Sequence, residues 1–289
     1  YDFLSYYPEM LYFRNHENII VREDSLISIT DKKFEGEGTV ASPYLIYDGY
    51  DMRTIDEYVV KGNLFGGKYF RVADEINIID LSFYGLFYNP IGNDEMKFGG
   101  ILDGRGANFI IDLDNEDLDY QGIFHTLGST ANVYNLSVSG QVIGKSYVGS
   151  VAGRSLGIID NVKSTAIIKS FDGNNVGGIT GFNEGTVKNS HNLGNVTMRG
   201  TYGGGLVGEN IGTVSDSYNK GVINGITNIG GIAGRNFNTI LRCYNAGIII
   251  SQTQAGGIAG ENDYIISQSF NMGNVKATIA IAGGISGAQ

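Results

Sequence analysis

Ile229-Gly230-Gly231-Ile232-Ala233-Gly234-Arg235-Asn236, with Cys243-Tyr244-Asn245-Ala246-Gly247 a few residues on, is one copy of a pattern that runs through the chain. Its Gly-Gly core stands earlier at Val176-Gly177-Gly178-Ile179 and Gly203-Gly204-Gly205-Leu206, and later at Ala255-Gly256-Gly257-Ile258 and Ala282-Gly283-Gly284-Ile285. Degenerate copies are Val148-Gly149-Ser150-Val151 and Gln121-Gly122-Ile123-Phe124. From Val148 onward the starts lie 28, 27, 26, 26 and 27 residues apart. Other columns keep the same step. Ile159, Val187, Val214, Ile240 and Ile266 form an aliphatic one; Asn183, Asn210, Asn236 and Asn262 an amide one.

Within a period, two or three segments of about 4–6 residues alternate apolar and other residues, which is strand spacing. Glycine and asparagine separate them, and both tolerate the left-handed backbone of sharp corners. From Val176 onward no ten consecutive residues are free of both glycine and asparagine, which argues against helices there. One such coil cannot bury its own apolar face, whereas stacked coils join into continuous parallel sheets about 4.8 Å apart per step. The expected fold is all-β: a parallel β-helix, or β-solenoid, with coils of about 27 residues and an N-terminal cap containing a short helix.

Composition agrees. The chain has 289 residues with 44 glycines and only 3 prolines, which excludes collagen, and its 42% hydrophobic content argues against disorder. The net charge of −10 is uneven: residues 1–147 hold 23 acids and 11 bases, residues 148–289 hold 7 and 9. No basic stripe exists to neutralise phosphates, so nucleic acid and anionic membranes are not expected partners. A single cysteine, Cys243, rules out an internal disulfide framework. No apolar run is long enough to span a bilayer, so no membrane insertion is expected within these residues. The chain begins at Tyr1 and ends at Gln289 inside a repeat, and both ends read as boundaries within a larger exported protein.

Gly-Gly-Ile-Ala-Gly-x-Asn followed by a Tyr-Asn-x-Gly corner resembles the glycine-rich GLUG repeats of bacterial surface proteins. Gly36–Ile46, Lys68-Tyr69-Phe70, Pro90-Ile91-Gly92 and Phe98–Gly104 resemble the segment that often precedes such repeats. The resemblance covers about residues 36–289. It implies a secreted or cell-surface location. Relatives of this kind include surface metallopeptidases that cleave immunoglobulin A, and adhesin-like proteins. It is specific for architecture and weak for function.

Three regions follow: 1–35 as a lead-in or the end of a preceding domain, 36–120 as a capping region with irregular early coils, and 121–289 as the repeat solenoid. In the second, Asp51–Val60 is the helix candidate, with Asp51 as its cap and Met52, Ile55 and Val59 on one face. It reads as a plug over the first coil.

Catalytic motifs fail on inspection. Gly203–Gly208 spells the dinucleotide-binding G-x-G-x-x-G, but no helix follows and the pattern recurs in every coil. His16-Glu17 begins a zinc-peptidase motif whose second histidine position is Ile20. Asp112, Asp114, Glu116 and Asp117, with Asp119, form the densest acidic cluster; it reads as a solvated loop or as a calcium site, without the glycine and terminal glutamate of an EF-hand. The acids of the repeat half are scattered, so a glycosidase pair is not expected. Cys243 stands in a small inward column and reads as inert.

Two columns are the site candidates. Asn192, Asn219, Asn245 and Asn271 are expected to form a structural ladder, since an amide both donates and accepts. His191, Tyr218, Tyr244 and Phe270 precede them and, by alternation, are expected to face outward as an aromatic ladder that binds a sugar or a partner protein. The expected function is that of a non-catalytic surface module, a rigid stalk or an adhesive domain that recognises a host protein or glycan. The alternatives are a substrate-positioning domain of an immunoglobulin-cleaving peptidase and a carbohydrate-active β-helix enzyme.

Overall fold

The computed structural model describes residues 34–82 and 88–288. His16, Glu17 and nearly all of the region 1–35 lie outside them. The described chain is a parallel β-solenoid in three sheets of 20, 5 and 7 strands. One coil shows how the sequence makes it: Thr201–Gly204 and Val207–Asn210 supply two sheets, and Thr213–Ser215, Tyr218–Asn219 and Ile223–Gly225 the third. Each pairs in parallel with its copy one coil on: Val214 with Ile240, Asn219 with Asn245, Ile223 with Ile249, Gly204 with Gly230.

The aliphatic columns fill the interior. Ile159, Val187, Val214 and Ile240 are fully buried, as are Ile168, Val196, Ile223 and Ile249. Stacking starts well before the recognisable repeat, since Tyr44–Ile46 pairs with Tyr69–Val72, then Ile101–Asp103, then Asn132–Ile143. The two coils after the first are longer: Phe70 pairs with Leu102 and Leu102 with Val133. Aromatic rings fill their wider interior, with Phe65–Phe70, Phe70–Phe98 and Phe98–Phe124 centroids 4.9, 5.8 and 5.0 Å apart.

The helix runs over Gly49–Val60, and its cap is Asp48 rather than Asp51. The Asp48 carboxylate accepts from the N–H groups of Tyr50 and Asp51, satisfying donors that the first turn leaves unpaired. Asp51 instead reaches back to accept from the Tyr47 N–H at 2.8 Å. Met52, Ile55 and Val59 do share a face and are fully buried in the common core.

The corners correct the expectation about glycine. Among the described residues every glycine with positive φ lies at or before Gly140, so none belongs to the Gly-Gly pairs. The left-handed positions are instead Asn135, Asn161, Asn189, Asp216, Arg242 and Gln268 along one edge, with Tyr120, Tyr147, Asn175, Tyr202 and Asn228 along another. Such a backbone costs an ordinary residue roughly 1–2 kcal/mol. It is held because the corner N–H groups bond to the next coil, as Asp216 does to the Leu241 carbonyl at 3.0 Å. The paired glycines answer a different need. A Cβ on Gly204 would be driven into the Val207 carbonyl oxygen, and one on Gly230 into that of Ala233.

Candidate functional site

Asn192, Asn219 and Asn245 are fully buried, and Asn271 partly so. The Nδ2 of Asn192 donates to Oδ1 of Asn219 at 3.0 Å, Asn219 to Asn245 at 2.8 Å, and Asn245 to Asn271 at 2.8 Å. Each amide also closes its own corner: Asn219 Nδ2 donates to the Gly221 carbonyl at 3.0 Å, and the Gly221 N–H donates back to Asn219 Oδ1 at 3.1 Å. A second ladder runs through Asn183, Asn210, Asn236 and Asn262 with links of 2.7, 2.8 and 2.8 Å. At its head the buried Asn183 Oδ1 has no donor, and Ser155, its partner in register, has an unpaired hydroxyl.

The column beside the first ladder points outward. His191, Tyr218 and Tyr244 are half-buried and Phe270 is 50% exposed. Their rings stack with centroids 4.6, 4.8 and 5.4 Å apart and planes within 8–11° of parallel. This arrangement alters what the column can bind. Rings this close spend their faces on one another, so the inner members show only their edges to solvent. The stacked faces leave no room for a sugar ring between neighbouring rings. On the N-terminal side of the column Lys163 occupies the next position in register with His191. Burial, with help from Lys163 and Lys220, holds the His191 pKa below the ordinary histidine value.

The acidic residues are spread along a strand and the turn after it. Asp112 and Asp114 end the strand Asn108–Asp114 with exposed side chains, and Asp112 accepts from Gln141 Nε2 at 2.8 Å. Glu116 and Asp117 sit on the exposed turn beyond it. Among the described residues no group of three or more His, Cys, Asp or Glu could hold a metal. Asp112 and Asp114 share the exposed face of the strand, roughly 7 Å apart along it. Cys243 is fully buried, and burial pushes its thiol up to about 12. Its sulfur lies 3.4 Å from the Leu241 carbonyl.

A second outward column escaped the sequence reading. Tyr120 stacks on Tyr147 at 4.5 Å and on His125 at 4.5 Å. The neighbouring sheet lines up Arg154, Phe182, Glu209, Arg235 and Glu261 in register. Arg154 pairs with Glu184, and Arg235 with Glu261 at 3.1 Å and Asp263 at 3.1 Å. The signal was present, since Tyr120 and Tyr147 stand one coil apart.

No family model matches the chain. It is 31% identical over 136 residues to a protein of Evansella cellulosilytica described as "Putative Gly-rich membrane protein", a stretch that covers 44% of this chain and 15% of the relative. It is 30% identical over 177 residues to "Halomucin" of Haloquadratum walsbyi, covering 57% of this chain and 2% of that one. The chain thus spans a small part of the curated relatives it matches. Among solved structures it is similar to "a putative immunoglobulin A1 protease from Bacteroides ovatus", with a TM-score of 0.61 and 17% identity over 90% of this chain and 87% of the other. That likeness shows the shared solenoid fold. Among the described residues no helix is long and apolar enough to cross a membrane.

Proposed function

We propose that this chain is a non-catalytic module of a bacterial surface protein, a stiff GLUG-type solenoid that displays a recognition face to a host protein or glycan. The observation that carries this reading is the half-exposed column of His191, Tyr218, Tyr244 and Phe270. It is held in register by the buried asparagines beside it and so pre-ordered before any partner arrives. Rings fixed in this way lose little side-chain entropy on contact, and aromatic side chains dominate the energetics of many recognition surfaces. Their edges suit the relief of a protein surface better than the face of a sugar. The names of the two sequence relatives, a membrane protein and a halomucin, support display at a cell surface.

The experiment is a binding and turnover assay on the full chain, using a glycan array and immobilised immunoglobulin A. Saturable capture on one of them, without release of reducing ends or peptide fragments, is the expected result. The double variant Tyr218→Ala, Tyr244→Ala keeps its β-sheet spectrum and weakens capture of a protein partner. Turnover of either substrate, or no capture by either surface, overturns the reading.

A further inference from the structure

One coil N-terminal to the aromatic column, on the same sheet, lies an open cleft of about 650 Å³. Asp103, Arg105, Asn135, Ser137, Asn161 and Lys163 line it. We propose that it binds a uronic-acid unit of an acidic saccharide. The assignment names a substrate class and a place for the recognition reading above, and rests on it.

The polar groups are oriented by a chain of hydrogen bonds. Asn161 Nδ2 donates to Asn135 Oδ1 at 2.8 Å, and Asn135 Nδ2 to Asp103 Oδ1 at 3.3 Å. Asp103 Oδ1 also accepts from the Arg105 N–H at 3.0 Å. This relay engages one N–H of each amide and leaves the second Asp103 oxygen and the Asn161 carbonyl oxygen as acceptors. Two fixed acceptors are what sugar hydroxyls require. Arg105 is anchored on the far side, donating to the Ala73 carbonyl at 2.9 Å and pairing with Asp74 at 3.2 Å. Lys163 is exposed and makes no ion pair among the described residues. Its ammonium is the cation free to meet a ligand carboxylate.

Three features set the ligand class. The volume lies within the range of about 300–1,000 Å³ that small ligands occupy. Leu136, the apolar residue beneath it, is 3% exposed, so the cleft offers no pocket for an apolar peptide side chain. Asp103 repels a phosphate dianion more strongly than a singly charged uronate, and one carboxylate beside several hydroxyls suits one free cation and two acceptors. On the cleft's own strand Asp160 is held by Lys188 at 3.3 Å, and two coils on the same corner is closed by the pair of Asp216 and Arg242 at 2.7 Å. The opening is therefore particular to these coils.

Isothermal titration of the full chain with trigalacturonate and neutral galactotriose tests the assignment. Trigalacturonate is expected to bind at least about tenfold more tightly, the ratio one charge-assisted hydrogen bond supplies. Lys163→Gln removes that preference and leaves galactotriose affinity unchanged, Asn161→Ala weakens both sugars, and the remote control Lys276→Gln changes neither. Equal affinity for the two sugars, no binding of either, or an unaffected Lys163→Gln overturns the cleft. If surface capture by the full chain persists undiminished in Lys163→Gln and Asn161→Ala, the cleft falls and the recognition reading stands. If trigalacturonate binds as expected while neither array glycans nor immunoglobulin A are captured, the cleft stands and the recognition reading falls.

Discussion

Asn219 makes four hydrogen bonds with one side chain: it accepts from Asn192 and Gly221, and donates to Asn245 and to the Gly221 carbonyl. Truncation to alanine leaves buried partners in two adjacent coils unpaired. Asn219→Ala is expected to lower stability by about 1–3 kcal/mol, read as a lower urea midpoint with an unchanged slope. His191 gives a test in pH. Its folded pKa lies below the unfolded value of 6.5, with burial the largest cause and Lys163 and Lys220 adding to it. The folded state therefore favours the neutral ring, and the contribution is fully present above pH 6.5. As pH falls below that value the unfolded chain takes up the proton first, and stability is lost down through the folded pKa. An NMR titration should place the His191 midpoint below 6.5, and His191→Phe should flatten the stability loss on acidification. A midpoint at or above the unfolded value would refute the sign.

At the scale of the element, strands of two to four residues survive because each is paired on both sides by copies of itself. Thr213–Ser215 is held between Thr186–Lys188 and Thr239–Leu241, and Val214 points into the stack between Val187 and Ile240. A carboxylate at Val214 would be buried with no cation in the interior to meet it. Val214→Asp is expected to cost at least about 3 kcal/mol and to leave the coil unfolded at moderate temperature, as followed by circular dichroism. Val214→Ile, the residue its partner Ile240 already is, should be tolerated to within about 1.5 kcal/mol. The sequence made these buried columns legible because alternation on a strand is a local property. It did not separate the two roles of glycine, since crowding by the next coil and freedom of φ favour the same residue.

At the scale of the molecule, the coils contact their neighbours in sequence and little else, so the stack should tolerate loss of a whole unit. Removing residues 229–254 joins Asn228 to Ala255 and restores every column in register: Gly204 meets Gly256 and Asn219 meets Asn271. That deletion is expected to fold with an unchanged β-sheet spectrum, whereas removal of 229–241, half a coil, should not. Equal behaviour of the two deletions would refute coil-by-coil stacking. The sequence alone determined the solenoid, its period, its buried columns and the outward placement of the four-ring column, because a repeated coil puts like residues at like heights. Only the tertiary structure decided what the rings can offer, since their spacing turns each face onto the next ring. It alone brought Asp103, Asn135, Asn161 and Lys163 around one cleft. Those residues come from the longer early coils and the first regular ones, where the period changes, and the alignment of unequal coils is settled by packing across the stack.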